Sequence, residues 1–580
     1  MMTKLNMIMT ILGGCVFFLV SCDLDKIPLA ALSPDTYFSN EEELQLYSNK
    51  FYQDILPTGP SVYSDNADVI IITPLNESVS GQRSVPSTGG GWSWTALRRI
   101  NYMLANSHNT KDIAVRNQYD AVAKFFRAYF YFEKLKRFGG VPWFNTVIGS
   151  NDELLFKPRD SRDLIADSIV RDLDFAIAHL STDKNIYRVN KWTAMALKSR
   201  ATLFEGTFRK YHGLADAEKY LTLCVEVSEK LIDDGGYSLY TAGSAPYRDL
   251  FANTNAIGQE VILARDYNAD LGLFHDVQNY ENTSTRGRPG LSKTFVNTYL
   301  RADGGRFTDL PGYATKEFTE ETQNRDPRMA QTIRTPGYTR IGSSTKVAPN
   351  LTHAITGYHL TKYSMEPIYD AAGKSMTDIP LFRIAETYLN FAEAKAELGT
   401  VLTQEDLDKS VNMLRRRVQM PDLKLAVANA NPDPYLLSTE TGYPNVSGPN
   451  QGVILEIRRE RAVELVMEGH RYYDVMRWKV GKLFEKPFLG MYFAGLGDYD
   501  LDNSGSLDVC LYQGTKPSSS ASLFLEVGQD IILSEGDHGN VVAHGNIPRS
   551  FREERDYLYP IPSEEIHLSN EILEQNPYWN

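Results

Sequence analysis

Apolar residues recur at three- and four-residue spacing in paired segments, and turn residues break the pattern at short intervals. Residues 95–107 and 114–138 form one pair, 162–180 and 190–206 a second, and 215–234 opens a third. In 114–138 the stripe is Phe125, Ala128, Phe132 and Leu135. In 381–398 it is Phe382, Ala385, Leu389, Ala392 and Ala396, ended by Gly399 and followed by a further helix over 404–418. A striped helix supplies half a core, and a short connection forces its successor to lie antiparallel and supply the rest. Small residues on the facing stripe allow close approach. Units of about 34 residues point to tetratricopeptide-like packing, although the strict repeat consensus is absent. The predicted fold class is mainly α: a tetratricopeptide-like helical-repeat frame with irregular loop and short-strand insertions.

The frame opens with Ser39-Asn40 before Glu41-Glu42-Glu43, a cap followed by an acidic first turn. It is expected over 41–57, 95–240, 380–420 and 452–483, within a single body spanning 41–580. Three stretches lack the period. Residues 58–93 carry Thr58-Gly59-Pro60 and Pro86-Ser87-Thr88-Gly89-Gly90-Gly91 and read as a long loop. Residues 241–378 are rich in Gly, Pro, Asn, Thr and Tyr, with a few strands such as Glu260 to Ala264, and 484–550 is again irregular. Long loops on a compact frame are where function concentrates.

The first residues bear on localisation. Lys4 precedes an apolar run from Met7 to Val20, closed by Leu19-Val20-Ser21-Cys22. That run is too short to span a bilayer, which takes about 20 apolar residues, and reads as an export signal over 1–21. Its end matches the bacterial lipobox. Cys22 is thus the expected lipidation site, 22–40 a tether, and several acyl chains together a firm hold on membrane lipid. The net charge of −13 excludes a nucleic-acid partner, which requires a basic patch. Of the four cysteines, Cys15 leaves with the signal and Cys22 is acylated. Cys224 and Cys510 remain, as a disulfide or as two buried thiols.

Several constellations bear on chemistry. Between Glu456 and Arg477 lie Arg458, Arg459, Glu460, Arg461, Glu464, Glu468, Arg471 and Asp474. On a helical wheel Arg458 and Arg461 fall beside Ile454 and Leu465, with Glu464 and Glu468 on the same side. Structural ion pairs are expected there, not a catalytic carboxylate pair. Gly337 to Gly342 has the glycine spacing of a phosphate loop but no lysine after it, and neither His-Glu-x-x-His nor Gly-x-Ser-x-Gly occurs. No catalytic residue is expected. Asp500, Asp502, Ser504 and Asp508, with Gly505, match the front of an EF-hand-like loop, whereas Leu511 stands where the bidentate Glu belongs. Either a structural Ca2+ or a solvated turn satisfies that pattern, and calcium titration separates the two.

Several motifs in order resemble the SusD/RagB family of outer-membrane nutrient-uptake lipoproteins, nearly end to end. They include Ser21-Cys22-Asp23, Arg127 to Phe132 leading into Phe138-Gly139-Gly140-Val141-Pro142, and Asn190-Lys191-Trp192-Thr193-Ala194. Ala302-Asp303-Gly304, Arg325-Asp326-Pro327-Arg328 and Phe382-Arg383-Ile384-Ala385-Glu386 follow. Then come Ile457 to Arg461 with Glu468 to Asp474, Tyr559-Pro560-Ile561-Pro562 and Gln575-Asn576-Pro577. Tyr578-Trp579 replaces the family's usual Gly-Trp ending. The resemblance implies a cell-surface, lipid-anchored protein of the outer membrane, acting as a lid over a TonB-dependent SusC-like transporter. It would hand oligosaccharides to that transporter, or peptides as in some members, with no cofactor required. Family ligand sites lie in the variable loops, which here places the expected ligand contacts on Trp92 (exposed by three glycines), Arg83, Asp68 and Asn76. Tyr280, Tyr313 and Tyr338 in the 270–345 region join them, by ring stacking and a few hydrogen bonds. A surface glycosidase and a ligand-free helical scaffold are the competing classes.

Overall fold

The computed structural model describes residues 37–149, 152–399 and 402–579. The signal, Cys22 and the tether as far as residue 36 lie outside them. The frame begins with α1 (Glu41–Ile55), capped by the Asn40 side chain on the Glu43 amide. Then come α2 (Thr95–Asn106), α3 (Ile113–Phe138), α4 (Arg162–His179), α5 (Lys191–His212) and α6 (Ala217–Asp234). After the 241–378 insertion the frame resumes with α7 (Ile384–Leu398), α8 (Gln451–Glu464) and α9 (Arg471–Arg477). Local chemistry sets these ends. Asp112 and Ser161 accept first-turn amides, Asn190 and Thr193 form a reciprocal capping box, and Gly213 closes α5 in the left-handed region at φ 70°.

Each helix lies mainly against its sequence neighbour: α3 on α4, α4 on α5, α5 on α6. α7 then packs on α5, α6 and α8 and joins the later helices to the earlier ones. Between α3 and α4 a buried bidentate pair, Arg127 to Asp172 at 2.6 and 2.7 Å, fixes the crossing. Gly206 lets α5 meet α6, because a Cβ there would lie 2.7 Å from Leu221 Cγ and 2.9 Å from its backbone nitrogen. One buried apolar cluster extends from Phe38 to Leu573. No helix among the described residues is long and apolar enough to cross a membrane.

Among the described residues four small sheets carry the insertions. β1 (Ile70–Ile71) pairs with β3 (Gly290–Leu291), and β2 (Val261–Arg265) with β4 (Ile379–Arg383), both antiparallel. β5 (Phe488–Phe493) pairs with β9 (Gly539–Ala543), and β6 (Gly497–Tyr499), β7 (Val509–Tyr512) and β8 (Leu523–Glu526) form a mixed sheet. The stretch 484–550 thus holds five short strands between irregular segments, and 58–93 holds short helices at Gly59–Tyr63 and Glu77–Ser80 as well as β1.

Three helical expectations change. Phe382 belongs to β4, so α7 starts at Ile384. The helix expected over 404–418 divides into Gln404–Asp408 and Val411–Arg417. The charged helix divides too: Met467 at φ 63° and Gly469 at φ 79° turn the chain between α8 and α9. Cys224 and Cys510 are buried free thiols, with Cys224 donating to the Ser199 carbonyl and pushed up to about 12 by burial.

Candidate functional site

The densest charge in the molecule is structural. Glu464, fully buried on α8, receives Arg383 at 2.7 Å, Arg417 at 2.6 Å and Arg328 at 3.2 Å. Arg328 also binds Asp326 at 2.6 Å and Glu460 at 2.9 Å, and Arg383 reaches Glu260 and Glu468. Although burial alone raises a carboxyl pKa, the three guanidinium groups hold Glu464 far below the ordinary carboxylate range. A carboxylate so paired neither gives nor takes a proton near neutrality. Arg461 pairs not with Glu464, as the wheel suggested, but with Asp474 of α9 at 2.8 Å.

Most of the expected ligand contacts are also engaged in the fold. Trp92, expected to be exposed, is 3% exposed and packs edge-on against Phe138 and Trp94 at ring distances of 4.9 and 5.4 Å. Gly89, Gly90 and Gly91 take φ 74°, 54° and 87°, turning the loop back so that the indole points inward. Trp94 is partly buried, packed on Phe130 and Phe144, and with Trp92 lines an apolar cleft of 490 Å³ that Phe156 and Leu568 also face. Arg83 is buried under the Tyr559 ring and donates to the Asp556 carbonyl at 2.6 Å. Asp68 takes a bidentate pair from Arg471 at 2.7 Å. Asn76 is exposed and caps Glu77–Ser80. Tyr280 is buried with its hydroxyl on the Ser64 carbonyl, and Tyr338 is buried with its hydroxyl accepting from Thr361. Tyr313 is half-buried, edge-on to Phe307 and Tyr435.

In the acidic loop, carboxylate oxygens of Asp500, Asp502 and Asp508 lie within 4.8 Å of one another. Asp500 accepts the amides of Asp502, Ser504 and Gly505, Asp502 that of Ser504, and Asp508 that of Leu501. Ser504 Oγ accepts the Ser506 amide.

A different set of residues lines an open cleft of 880 Å³ between α1, the 185–188 turn, the end of β2 and the 266–276 loop. Tyr52 on α1, Tyr187, Tyr267 and Phe274 bring aromatic rings to it. The tyrosine hydroxyls are committed to the protein: Tyr52 accepts the Val189 amide at 3.0 Å, Tyr187 donates to Asp378 at 2.6 Å, and Tyr267 accepts the Gly59 amide at 2.8 Å. Anchored in this way, the rings present faces and edges. Arg188 donates to Asn49 at 2.6 Å and lies 5.0 Å from the Tyr52 ring centroid. His275 packs on Tyr267 and donates no charge, since burial pushes it down to about 4. Gln53, Asn185 and Asp266 stand exposed on the walls. Fixed rings with a few planar polar groups can hold and orient a ligand through its apolar faces and hydroxyls. The sequence held one signal for this place: Leu271, Leu273 and Phe274 form an apolar run in a polar loop, and they are 68%, 46% and 37% exposed.

Comparison with known proteins agrees with the architecture. A SusD-like protein from Bacteroides fragilis has a TM-score of 0.69 at 23% identity, covering 95% of this chain and 100% of its own. A SusD-like carbohydrate binding protein from the same species gives 0.66 at 19%, covering 93% and 99%. SusD-like protein P25 of Formosa agariphila is 23% identical over 80% of this chain and 88% of its own length. The family model described as "SusD family" matches residues 250–579, more than half of the sequence. The chain belongs to the SusD family.

Proposed function

We propose that the protein is a cell-surface lipoprotein, anchored through Cys22, that captures oligosaccharides and passes them to a TonB-dependent, SusC-like transporter without transforming them. The observation that carries this reading is the open cleft of Tyr52, Tyr187, Tyr267 and Phe274, where the three tyrosines are tethered through their hydroxyls while Gln53, Asn185 and Asp266 are exposed. Membership of the SusD family supports it, as does likeness to a neighbour described as a carbohydrate binding protein. The paired state of the carboxylates on α8 and α9 supports binding over hydrolysis, which requires one carboxyl group free to donate a proton.

The test is a panel of oligosaccharides and peptides against the wild-type protein, followed by calorimetry on Phe274→Ala and Asn185→Ala. Phe274 is 37% exposed and the Asn185 side chain is exposed with one bond, from the Tyr187 amide at 3.0 Å, so melting temperature should move little while affinity for the cognate glycan falls about tenfold for each lost ring or hydrogen-bonding contact. Unchanged affinity in both variants would remove the cleft from consideration. Reducing ends released above blank on long incubation with the bound glycan would overturn the binding-only reading. Co-purification of the transporter with the lipidated protein, and its loss on Cys22→Ser, checks the partner and the anchor.

A further inference from the structure

A second, more enclosed chamber of 360 Å³ lies on the other side of the 55–61 segment from the open cleft. That segment walls both: Leu56, Thr58 and Pro60 line the cleft, whereas Ile55, Pro57 and Ser61 line the chamber. The chamber is strongly charged. Four cations, Lys136, Arg200, Arg461 and Arg477, face three carboxylates, Glu133, Glu468 and Asp474.

Two of those carboxylates are each satisfied by two cations. Glu468 is held from behind by Arg383 at 2.7 Å and Lys362 at 2.8 Å, and Asp474 by Arg461 and Arg477, both at 2.8 Å. Glu133 alone is at the mouth, its side chain 42% exposed, with a single bond to Lys136 at 2.8 Å. Donors, in contrast, are left over. Arg461 is 3% exposed and uses Nε on Asp474 and Nη1 on Asn390, which leaves Nη2. Lys136 has one carboxylate for its three protons and rests 4.1 Å from the Tyr473 ring centroid. His470 has Glu386, Asp474, Arg200 and Arg461 as charged neighbours, and its imidazole, unlike its carbonyl, has no hydrogen-bond partner among the described residues. Arg200 and Arg477 are matched by Glu386 and Glu393 behind the wall, so what the chamber has in surplus is donors, and these are matched by a group that brings only acceptors.

We propose that this chamber binds a small oxyanion, a carboxylate or sulfate group, between Arg461, Lys136 and His470. The site is separate from the glycan cleft and does not rest on the function proposed for it. Glu133 sits as a competing carboxylate at the entrance and sets the affinity.

Sodium D-glucuronate, sodium sulfate and glucose, each titrated into the purified protein at low ionic strength, test this. At least one oxyanion should bind saturably at one site, and glucose should not bind there. Glucuronate alone assigns a carboxylate site, sulfate alone a tetrahedral one. Lys136→Met removes a charged donor and should weaken binding about tenfold or more, whereas Glu133→Gln removes the competitor and should tighten it severalfold. Both substitutions are near-isosteric on α3, Lys136 being 12% and Glu133 42% exposed, so the helix is kept, and a purely structural role predicts no such opposition. The His470 imidazole, followed by NMR, should become harder to deprotonate when the anion binds. Absence of binding by both oxyanions, or equal binding by wild type and both variants, would overturn the proposal and leave a water-filled chamber. The Phe274→Ala measurement reports on the open cleft, and this titration on the chamber, so either can fail alone.

Discussion

Glu464→Gln is the sharpest perturbation of the frame. The carboxylate is fully buried and accepts four bonds of 2.6 to 3.2 Å from Arg328, Arg383 and Arg417. The three arginines are not equally dependent on it. Arg328 keeps Asp326 and Glu460, and Arg383 keeps Glu260 and Glu468. Arg417 retains only Glu260 at 3.4 Å, and its Nε already lacks a partner. Glutamine offers one acceptor oxygen and turns an amide N–H₂ toward a guanidinium, which leaves the Arg417 charge buried and almost unpaired. Breaking a buried pair in this way costs about 3–5 kcal/mol. Equilibrium urea unfolding, followed by tryptophan fluorescence and far-UV dichroism, reads that loss. Glu464→Gln combined with Arg417→Met should recover much of it, since the stranded charge leaves with its partner. A single-variant loss below about 1 kcal/mol, or a double variant no more stable than the single, would refute the reasoning.

Other substitutions probe the remaining links. Trp92→Ala should cost about 3–5 kcal/mol of stability by emptying the space beside Phe138, with glycan affinity unchanged by calorimetry. Gly206→Ala drives a methyl group into Leu221 and should cost about 1–3 kcal/mol or more, read as a lower melting temperature. Glu281 is buried with Tyr363 N–H and Ser364 Oγ as its donors, and burial raises it to about 7. Because the folded value lies above the unfolded one, its contribution is full below about pH 4.5 and is lost as pH rises through about 7. Glu281→Gln should therefore flatten the fall in stability between pH 5 and 8 while Asp65, also raised to about 7 by burial, keeps part of the slope. An unaltered slope in denaturation series across that range would show that Glu281 does not titrate there.

The legible part of this molecule is the part whose causes are local. Caps at Asn40, Asp112, Ser161 and Asn190 and stripes at three- and four-residue spacing act within one or two turns, so the frame from α1 to α6 reads off the chain. The arginine-rich segment shows where locality ends. Its helical spacing marks the segment as ion-paired but assigns Arg461 the wrong partner, because two left-handed residues at 467 and 469 break the helix. Glu464 then finds Arg328 and Arg383, 136 and 81 positions away, and no wheel contains them. The site goes further in the same direction. A stripe tells which face of α1 is buried, but whether an outward ring such as Tyr52 meets water or a cleft depends on the 185–188 and 266–276 segments arriving from distant sequence. Glycines around a tryptophan do not make it exposed; they permit the φ values that let the chain fold back over it, as at Trp92. Exposure in loops is therefore a tertiary property, and so is the tethering of the Tyr52, Tyr187 and Tyr267 hydroxyls, which is achieved only once the fold has closed.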